Sequence, residues 1–497
     1  MIFAFYIIFM FSELKKLVKH SGIYAIGAIV QASLSFLLIP FYTRYLSQAD
    51  YGRLEILQTF LKVLLFLIPL GLPSAILKCY HRDAKSQGER KILMSTAFFL
   101  VLLAGIVETI ILLFFVHPLG QFLIKTNFTL LIYIVLFTSF FAALLELELS
   151  FLRAEERSRF YTVVFLLRFI LTLGVTIYLV VGLKWGLFGA LLGNLAAQIL
   201  TFLTFLPYLK NYVRISYSKR ALTKLLSFGV AILPASIAMW VMDLSDRYFL
   251  SHFGSLEEVG VYSVGYRIGF ILEFVLVTPF QLAWPPFSFR IAKKINHKQI
   301  YARTLTYFFF IGIFSFLFLS FFAPEIIRII APENYAKGAL IVPLVALAYV
   351  FYGMHFVIAP GIHLRGKTKY YPLLIIFPAA LNLLLNYLLI PIYGMWGAAE
   401  STFIAFIFVF ILTYFVSNHF YPVRYEWKRL LKIVISALVI FAFSVFYSLH
   451  LVTVAAILIK IGLLILFLIL LWGEGFFEKE EKDKIKGVIK KALNYFN

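Results

Sequence analysis

Apolar stretches of spanning length recur along the whole chain, separated by short polar connections. They cover residues 22–46, 52–77, 92–116, 128–152, 160–182, 185–208, 222–249, 260–289, 304–330, 338–364, 370–392, 395–417, 430–449 and 451–472. Crossing a bilayer takes about 20 apolar residues in a helix. Backbone groups facing lipid must be hydrogen-bonded within their own segment, so spans of this length are helices. The pattern therefore predicts an all-α polytopic membrane protein with fourteen transmembrane helices. Pro40, Pro69, Pro234, Pro279, Pro343 and Pro378 fall inside the spans, at positions where a helix bends or breaks. The opening run MIFAFYIIFMF is too short to cross and has no basic n-region or small-residue cleavage site, so it reads as an interfacial extension. Met10 is an alternative start, leading through MFSELKKLVKHSG into the first span.

Composition agrees: 62% of the 497 residues are hydrophobic, 14% are charged, and the mean hydropathy is +0.93, which no water-soluble domain could present at its surface. The single cysteine, Cys79, excludes an internal disulfide framework and offers no metal cluster. A formal charge of +21 would suit nucleic acid, but its distribution gives another explanation. Of the 45 Lys and Arg residues, 34 lie in the N-terminal lead, the even-numbered connections and the tail or in the span ends adjoining them, 7 lie in or beside the odd-numbered connections, and 4 (Lys62, Arg168, Arg267, Lys460) lie deeper inside spans. The positive-inside rule then places both termini in the cytoplasm. The basic pI is a topology signal, no nucleic-acid partner is implied, and contact with anionic membrane lipids is expected.

An internal repeat organises the spans. Arg44-Tyr45-Leu46 followed by Asp50-Tyr51-Gly52 reappears as Arg247-Tyr248-Phe249 followed by Glu258-Val259-Gly260. Leu152-Arg153 ahead of Phe160-Tyr161 matches Leu364-Arg365 ahead of Tyr370-Tyr371, and the glycines of Gly186-Leu-Phe-Gly189-Ala190 match those of Gly394-Met-Trp-Gly397-Ala398. The offsets stay between 203 and 212 residues. Two pseudo-symmetric six-helix lobes follow, 22–209 and 222–417, joined by a linker at 210–221 and related by an axis along the membrane normal. Two further helices occupy 418–473, the lead is 1–21, and the basic tail is 474–497. In that tail Lys482, Lys486 and Lys490 recur at helical spacing, which suits either a helix along the cytoplasmic headgroups or a solvated basic segment.

Charge inside apolar spans is expensive and marks sites by default. The stretch 221–294 concentrates it in Asp243, Asp246, Arg247, Arg267 and Glu273. Asp243 precedes Arg247 by four, the spacing of an intrahelical ion pair. Glu108, Glu273 and His355 are buried-span groups that could carry protons. The sequence carries neither GxxxxGK[ST] nor HExxH, so ATP hydrolysis by this chain is not expected, and the reading is of a non-enzyme.

The run SGIYAIGAIVQASLSFLLIPFYTRYLSQADYGRLEI, followed by GLPSAILKCYHR, resembles the start of the polysaccharide transporters of the MOP superfamily (multidrug, oligosaccharidyl-lipid and polysaccharide exporters). The resemblance implies a flippase that moves polyprenyl-diphosphate-linked oligosaccharide on an undecaprenyl carrier across the cell inner membrane by alternating access. Helices 1, 2, 7 and 8 would line the cavity, and other polysaccharide-assembly membrane proteins would be its neighbours. Five cations fall on those helices: Lys62, Arg267, Arg44, Arg53 and Arg247. They are the candidate substrate-binding residues, since charge-assisted contacts to phosphate are strong. Arg44, Arg53 and Arg247 have an equal alternative as interfacial, snorkelling side chains. Arg168 and Lys460 read as structural. By the same resemblance Asp243, Asn382, Asn386 and Thr402 are candidate sodium ligands, with interhelical hydrogen bonding as the alternative. The coupling ion would be sodium or a proton, with no other cofactor.

Two other functions fit the class. A multidrug exporter of the same superfamily would favour an acidic, aromatic cavity, against the cations on these spans. A membrane glycosyltransferase or polymerase would need a large extramembrane loop, and the connections here run to about a dozen residues.

Overall fold

The computed structural model describes residues 34–126, 128–446, 454–479 and 481–483. The interfacial extension, the first half of span 1 and most of the basic tail lie outside the described residues. Twelve helices among those described are long and apolar enough to cross a membrane. The chain is an all-helical polytopic membrane protein.

The first lobe contains α1 (34–45), α2 (Gln48–Leu67), α3 (Leu72–Arg82), α4 (Gln87–Leu113), α5 (Val116–Ile124), α6 (Leu130–Ala154), α7 (Ser158–Ile177) and α8 (Gly186–Tyr212). The second contains α9 (Lys219–Leu244), α10 (Asp246–Phe253), α11 (Leu256–Gly269), α12 (Thr278–Ile291), α13 (His297–Ile330), α14 (Val342–Ile358), α15 (Pro360–Leu364), α16 (Leu373–Tyr393) and α17 (Met395–Phe420). Helices α18 (Trp427–Phe446) and α19 (Val454–Gly473) follow. Within the lobes α6 and α7 pack on α8, and α14 and α16 pack on α17.

Predicted spans 2, 7 and 8 are broken where the lobes meet. Span 2 divides at Pro69-Leu70-Gly71, where both Leu70 and Gly71 take positive φ. Span 8 passes through a π-helical turn at Glu273–Val277 before Pro279 starts α12. Span 7 divides at Ser245, between α9 and α10, with no proline to announce it. Pro234 and Pro378, in contrast, sit inside continuous α9 and α16.

The lobes meet along a seam made mainly by α2 against α11, and by α3 against α9. Each of α2 and α11 starts with a serine cap followed three residues later by an acid: Ser47 Oγ accepts from Asp50 N at 3.1 Å, and Ser255 Oγ accepts from Glu258 N at 3.1 Å. One turn further on, the two helices touch through glycine. A side chain at Gly52 would strike the carbonyl of Leu256, and one at Gly260 would lie 2.5 Å from the carbonyl of Gln48. Gly52 and Gly260 are repeat mates, as are Gln48 and Leu256, so the contact is reciprocal, as across a twofold axis. At the far end of the seam Gly71 meets Gly229, Lys224 Nζ lies 3.3 Å from Asp83 Oδ1, and Lys78 sits over the Phe228 ring. The lobes are thus in contact at both ends.

Outside the lobes, α18 and α19 are held to α13. Lys460 on α19 pairs with Glu325 inside the apolar packing, and Arg429 bonds Glu426 at 3.1 Å and Glu481 at 3.0 Å while Arg303 reaches Glu478 at 2.7 Å. Arg168 bonds Glu146 at 3.1 Å between α7 and α6. Both intraspan cations read as structural, Arg168 and Lys460, have acidic partners on neighbouring helices.

Candidate functional site: a charged seam between the lobes

One turn beyond the glycine contact, the seam turns from apolar to charged. Arg267 projects from the last turn of α11, and its Nη2 lies 2.5 Å from Glu55 Oε1 on α2. The same guanidinium donates to the Ser35 carbonyl on α1 at 3.0 Å and to Gln58 at 3.5 Å. Repeat symmetry stops here: the mates of Glu55 and Arg267 are Ser263 and Thr59. A twofold axis would duplicate the ion pair; with Ser263 and Thr59 at the mate positions it occurs once across the interface.

Lys62 sits two turns beyond Glu55 on the same helix. Its side chain is exposed and has no ion-pair partner among the described residues, yet Glu55, Asp243, Arg247 and Arg267 all lie within electrostatic range. Its ammonium therefore lies among charged groups contributed by both lobes.

Arg247 is placed differently from its sequence reading. It is 2% exposed, so it is not a snorkelling rim residue. Its carboxylate partner is Asp246 at 2.8 Å rather than Asp243, because the break at Ser245 ends the helix between residues 243 and 247 and cancels the four-residue spacing. Instead Arg247 Nη1 donates to the Asp243 carbonyl at 3.0 Å, satisfying a free acceptor at the end of α9. Tyr262 donates to the other Asp246 oxygen, and the Arg247 guanidinium lies 4.4 Å from the Tyr266 ring centroid. The Asp243 carboxylate accepts from Tyr349 at 3.1 Å, and Tyr349 and Tyr266 share a hydrogen bond at 2.8 Å.

The other two cations close the end of the seam. Arg44 is exposed and donates to the Ile329 carbonyl at the end of α13 at 3.0 Å. Arg53 bonds Asp50 at 2.7 Å and the Ile124 carbonyl at 3.4 Å. Gln48 donates to the Asn334 carbonyl at 2.7 Å.

Behind this layer, Asn382 and Asn386 are fully buried on α16 and form a triangle with Ser245: Ser245 donates to Asn382 Oδ1 at 3.3 Å, and Asn386 Nδ2 donates to Ser245 at 3.2 Å and to Asn382 Oδ1 at 3.1 Å. Thr402 donates to its own helix at Ala398. Asn386 Oδ1 is buried without a partner among the described residues. The donor set is oxygen-rich and suits a hard cation by type. Among the described residues there is no cluster of three or more His, Cys, Asp or Glu, so Asp243 would be the one carboxylate of such a set. Ser245, which the sequence reading passed over, is the group that ties the break in span 7 to the amides.

His355 is also accounted for by hydrogen bonds. Thr413 spends its hydroxyl proton on the Val409 carbonyl at 2.7 Å, so His355 Nδ1 must donate to Thr413 Oγ1 at 2.6 Å, which leaves Nε2 to accept from Tyr371 at 3.0 Å. The neutral ring is fully satisfied and joins α14 and α17 to the turn that leads into α16.

Known proteins share this fold. The family model described as polysaccharide biosynthesis protein matches residues 17–292, which takes in the first lobe and the second lobe through α12. A Haemophilus influenzae protein described as an uncharacterized membrane protein is 24% identical over 387 residues, covering 76% of this chain and 83% of its own. Among solved structures, the lipid II flippase MurJ in an inward closed conformation superposes with a TM-score of 0.75 at 18% identity, over 90% of this chain and 97% of its own. An inward-facing multidrug resistance MATE family transporter of the MOP superfamily gives 0.65 at 18% identity, over 78% and 94%. At such identity these two structures establish a shared fold, and the family match covers more than half of the sequence: the chain belongs to the polysaccharide biosynthesis protein family, built on the fold of the MOP-superfamily transporters.

Proposed function

We propose that this chain is a flippase that carries polyprenyl-diphosphate-linked oligosaccharide across the cytoplasmic membrane by alternating access of its two lobes. One observation carries the reading: Arg267 crosses the lobe seam to Glu55, with the exposed Lys62, which has no ion-pair partner among the described residues, on the same helix as Glu55. A diphosphate brings at least two negative charges and several acceptor oxygens. It competes with Glu55 for Arg267 and gives Lys62 a counterion, so binding of the head replaces an interlobe ion pair with a lobe-to-cargo contact. That exchange weakens the seam when cargo is present. The lipid tail stays in the bilayer while the sugar head occupies the space between the lobes.

Family and fold point to a transporter, which supports a non-enzymatic role. The orientation we propose has both termini in the cytoplasm, with the Gly52–Gly260 end of the seam facing outward and the Asp83–Lys224 end facing inward. A multidrug exporter is the rival on the same fold. The test is transport in proteoliposomes: undecaprenyl-diphosphate-linked oligosaccharide should cross and a cationic dye should not. Dye uptake without glycolipid movement would give the rival the site.

A monovalent cation is our proposal for the coupling species, supported by Asn386 Oδ1, which has no partner among the described residues and lies beside Asn382 and Ser245. A sodium gradient should then speed transport, and Asn386→Leu should abolish that acceleration.

A further inference from the structure

Of the acids buried within the spans, Glu55 pairs with Arg267, Asp246 with Arg247 and Glu325 with Lys460. Glu148 on α6 differs. It is fully buried, and neither of its carboxyl oxygens has a hydrogen-bond partner among the described residues. The run Leu-Glu-Leu-Glu-Leu places Glu146 and Glu148 roughly 200° apart around the helix. Glu146 reaches Arg168 on α7 at 3.1 Å, so Glu148 points the other way, onto the face it shares with Phe151. That face meets α8, where the Phe151 ring lies 6.1 Å from Tyr212. The last turns of α6 also run beside α3, since Tyr80 is within electrostatic range of Glu155. Among the described residues, no titratable group on the helices packed against α6 bonds Glu148 or acts on it by charge: not Glu55 or Lys62 on α2, Cys79 or Tyr80 on α3, Arg90 or Glu108 on α4, His117 on α5, Arg168 on α7, or Tyr212 on α8.

A carboxylate without a donor or a counterion does not stay ionised in such a place, so in this arrangement Glu148 is neutral and holds a proton. A neutral carboxyl still leaves its hydroxyl without an acceptor, where leucine would pack without that loss. The second lobe shows the contrast. Its residue at the mate position is Pro360, and the titratable group of that span, His355, has both ring nitrogens bonded. Helix α3 gives the carboxyl a route to water. It begins at the Pro69-Leu70-Gly71 break, where Leu70 and Gly71 take φ of +49° and +69°, and it carries the seam contact with α9. A tilt of α3 about that break parts it from α6.

We propose that Glu148 is a proton-binding site of the first lobe, occupied while α3 lies against α6 and emptied when α3 tilts away and admits water. On opening, the carboxyl O–H bond breaks, the proton passes to the entering water, and a hydrated carboxylate remains. A lone carboxyl offers a metal cation too few oxygens, whereas a proton needs one. The neutral form belongs to the closed packing, so closure is favoured at low pH and lost as pH rises. This site goes beyond the cargo contact at Arg267 and makes the movement of the lobe sensitive to pH on the side to which α3 opens.

The test uses the full-length protein in lipid, by infrared difference spectroscopy and by spin labels on exposed positions of α3 and α6 in a Cys79→Ala background. At neutral pH wild type should show the C=O stretch of a protonated carboxyl free of hydrogen bonds, and Glu148→Gln and Glu148→Leu should both lack it. The α3–α6 distance should lengthen with rising pH in wild type and stay constant in both variants. Glu148→Leu should melt at a higher temperature than wild type, because an apolar side chain of similar size replaces two polar atoms without partners. Should Glu148→Gln fail to fold, Glu148→Leu carries every comparison. A wild-type spectrum without the band, a band that survives in Glu148→Leu, an α3–α6 distance that ignores pH, or a lower melting temperature for Glu148→Leu overturns the site. None of these readouts uses cargo, so their failure is distinct from failure of the transport reading.

Discussion

Glu55 on α2 and Arg267 on α11 form an ion pair at 2.5 Å that joins the two lobes one turn beyond the point where Gly52 and Gly260 bring the helix backbones together. The pair is nearly removed from solvent, with side-chain exposures of 5% and 16%. Breaking a buried pair by removing one partner leaves the other charge uncompensated, at a cost of about 3–5 kcal/mol. Glu55→Gln should therefore lower stability by about 3 kcal/mol, the lower end of that range, because Arg267 keeps some access to water and still reaches Ser35 and Gln58. Because the competitor for Arg267 is gone, the same variant should bind a soluble undecaprenyl-diphosphate analogue more tightly than wild type. Calorimetric melting and a binding isotherm check both; weaker binding would refute the exchange of Glu55 for cargo.

The reciprocal glycine contact predicts a steric lever. Any side chain at Gly260 must displace the Gln48 carbonyl, so Gly260→Leu should force the lobes apart at that end and leave the Gly71–Gly229 end closed. Spin labels on α2 and α11 should report a longer distance in the variant, while labels on α3 and α9 should not move. An unchanged α2–α11 distance would show that the seam flexes at no cost.

The opposite end of the seam should respond to pH. Desolvation raises the Asp83 carboxyl, but the hydrogen bond and charge of Lys224, with smaller help from Cys79 and Arg82, outweigh it and hold the carboxyl below the usual carboxylate range. A carboxyl whose pKa is depressed in the closed state contributes to closure above its ordinary pKa and loses that contribution as pH falls through the depressed value. The bridge should be complete at pH 7 and weaken under acid. The α3–α9 label distance should lengthen on acidification in wild type, and Lys224→Met should remove the dependence.

Much of this architecture is legible in the sequence, for identifiable reasons. Lipid forces each crossing to satisfy its own backbone, so hydropathy gives the helices. The repeat is visible because Gly52, Gly260, Gly186 and Gly394 are held by close approach or positive φ, where lipid composition imposes nothing. Arg267 and Lys62 are conspicuous because charge is rare in spans. Pairing is harder to read. The break at Ser245 carries no proline, so the Asp243–Arg247 spacing points to a pair that the folded chain does not make. Glu55 looks like a helix-surface acid from its own segment, and only the crossing of α2 and α11 gives it Arg267. Ser245 is likewise silent until α16 lies against the break.

His355 attracts attention as a titratable group in a span, but its hydrogen bonds to Thr413 and Tyr371 complete the neutral ring and link α14, α17 and the turn that leads into α16. His355→Ala leaves the Tyr371 hydroxyl without its acceptor, removes a donor to Thr413 and opens a cavity, so stability should fall by about 2–4 kcal/mol. Transport by the residual folded protein should keep its coupling to the ion gradient. Uncoupled transport by a fully folded variant would instead make His355 part of the coupling machinery.

The central claim is that Arg267 holds the anionic head of the cargo. Proteoliposomes of wild type and Arg267→Ala, loaded with undecaprenyl-diphosphate-linked oligosaccharide and matched for folded protein by melting curves, measure it directly. A lost charge-assisted contact of about 1.5–3 kcal/mol corresponds to a fall of roughly ten- to a hundredfold in the flipping rate at limiting cargo. Flipping by Arg267→Ala at the wild-type rate would contradict the account.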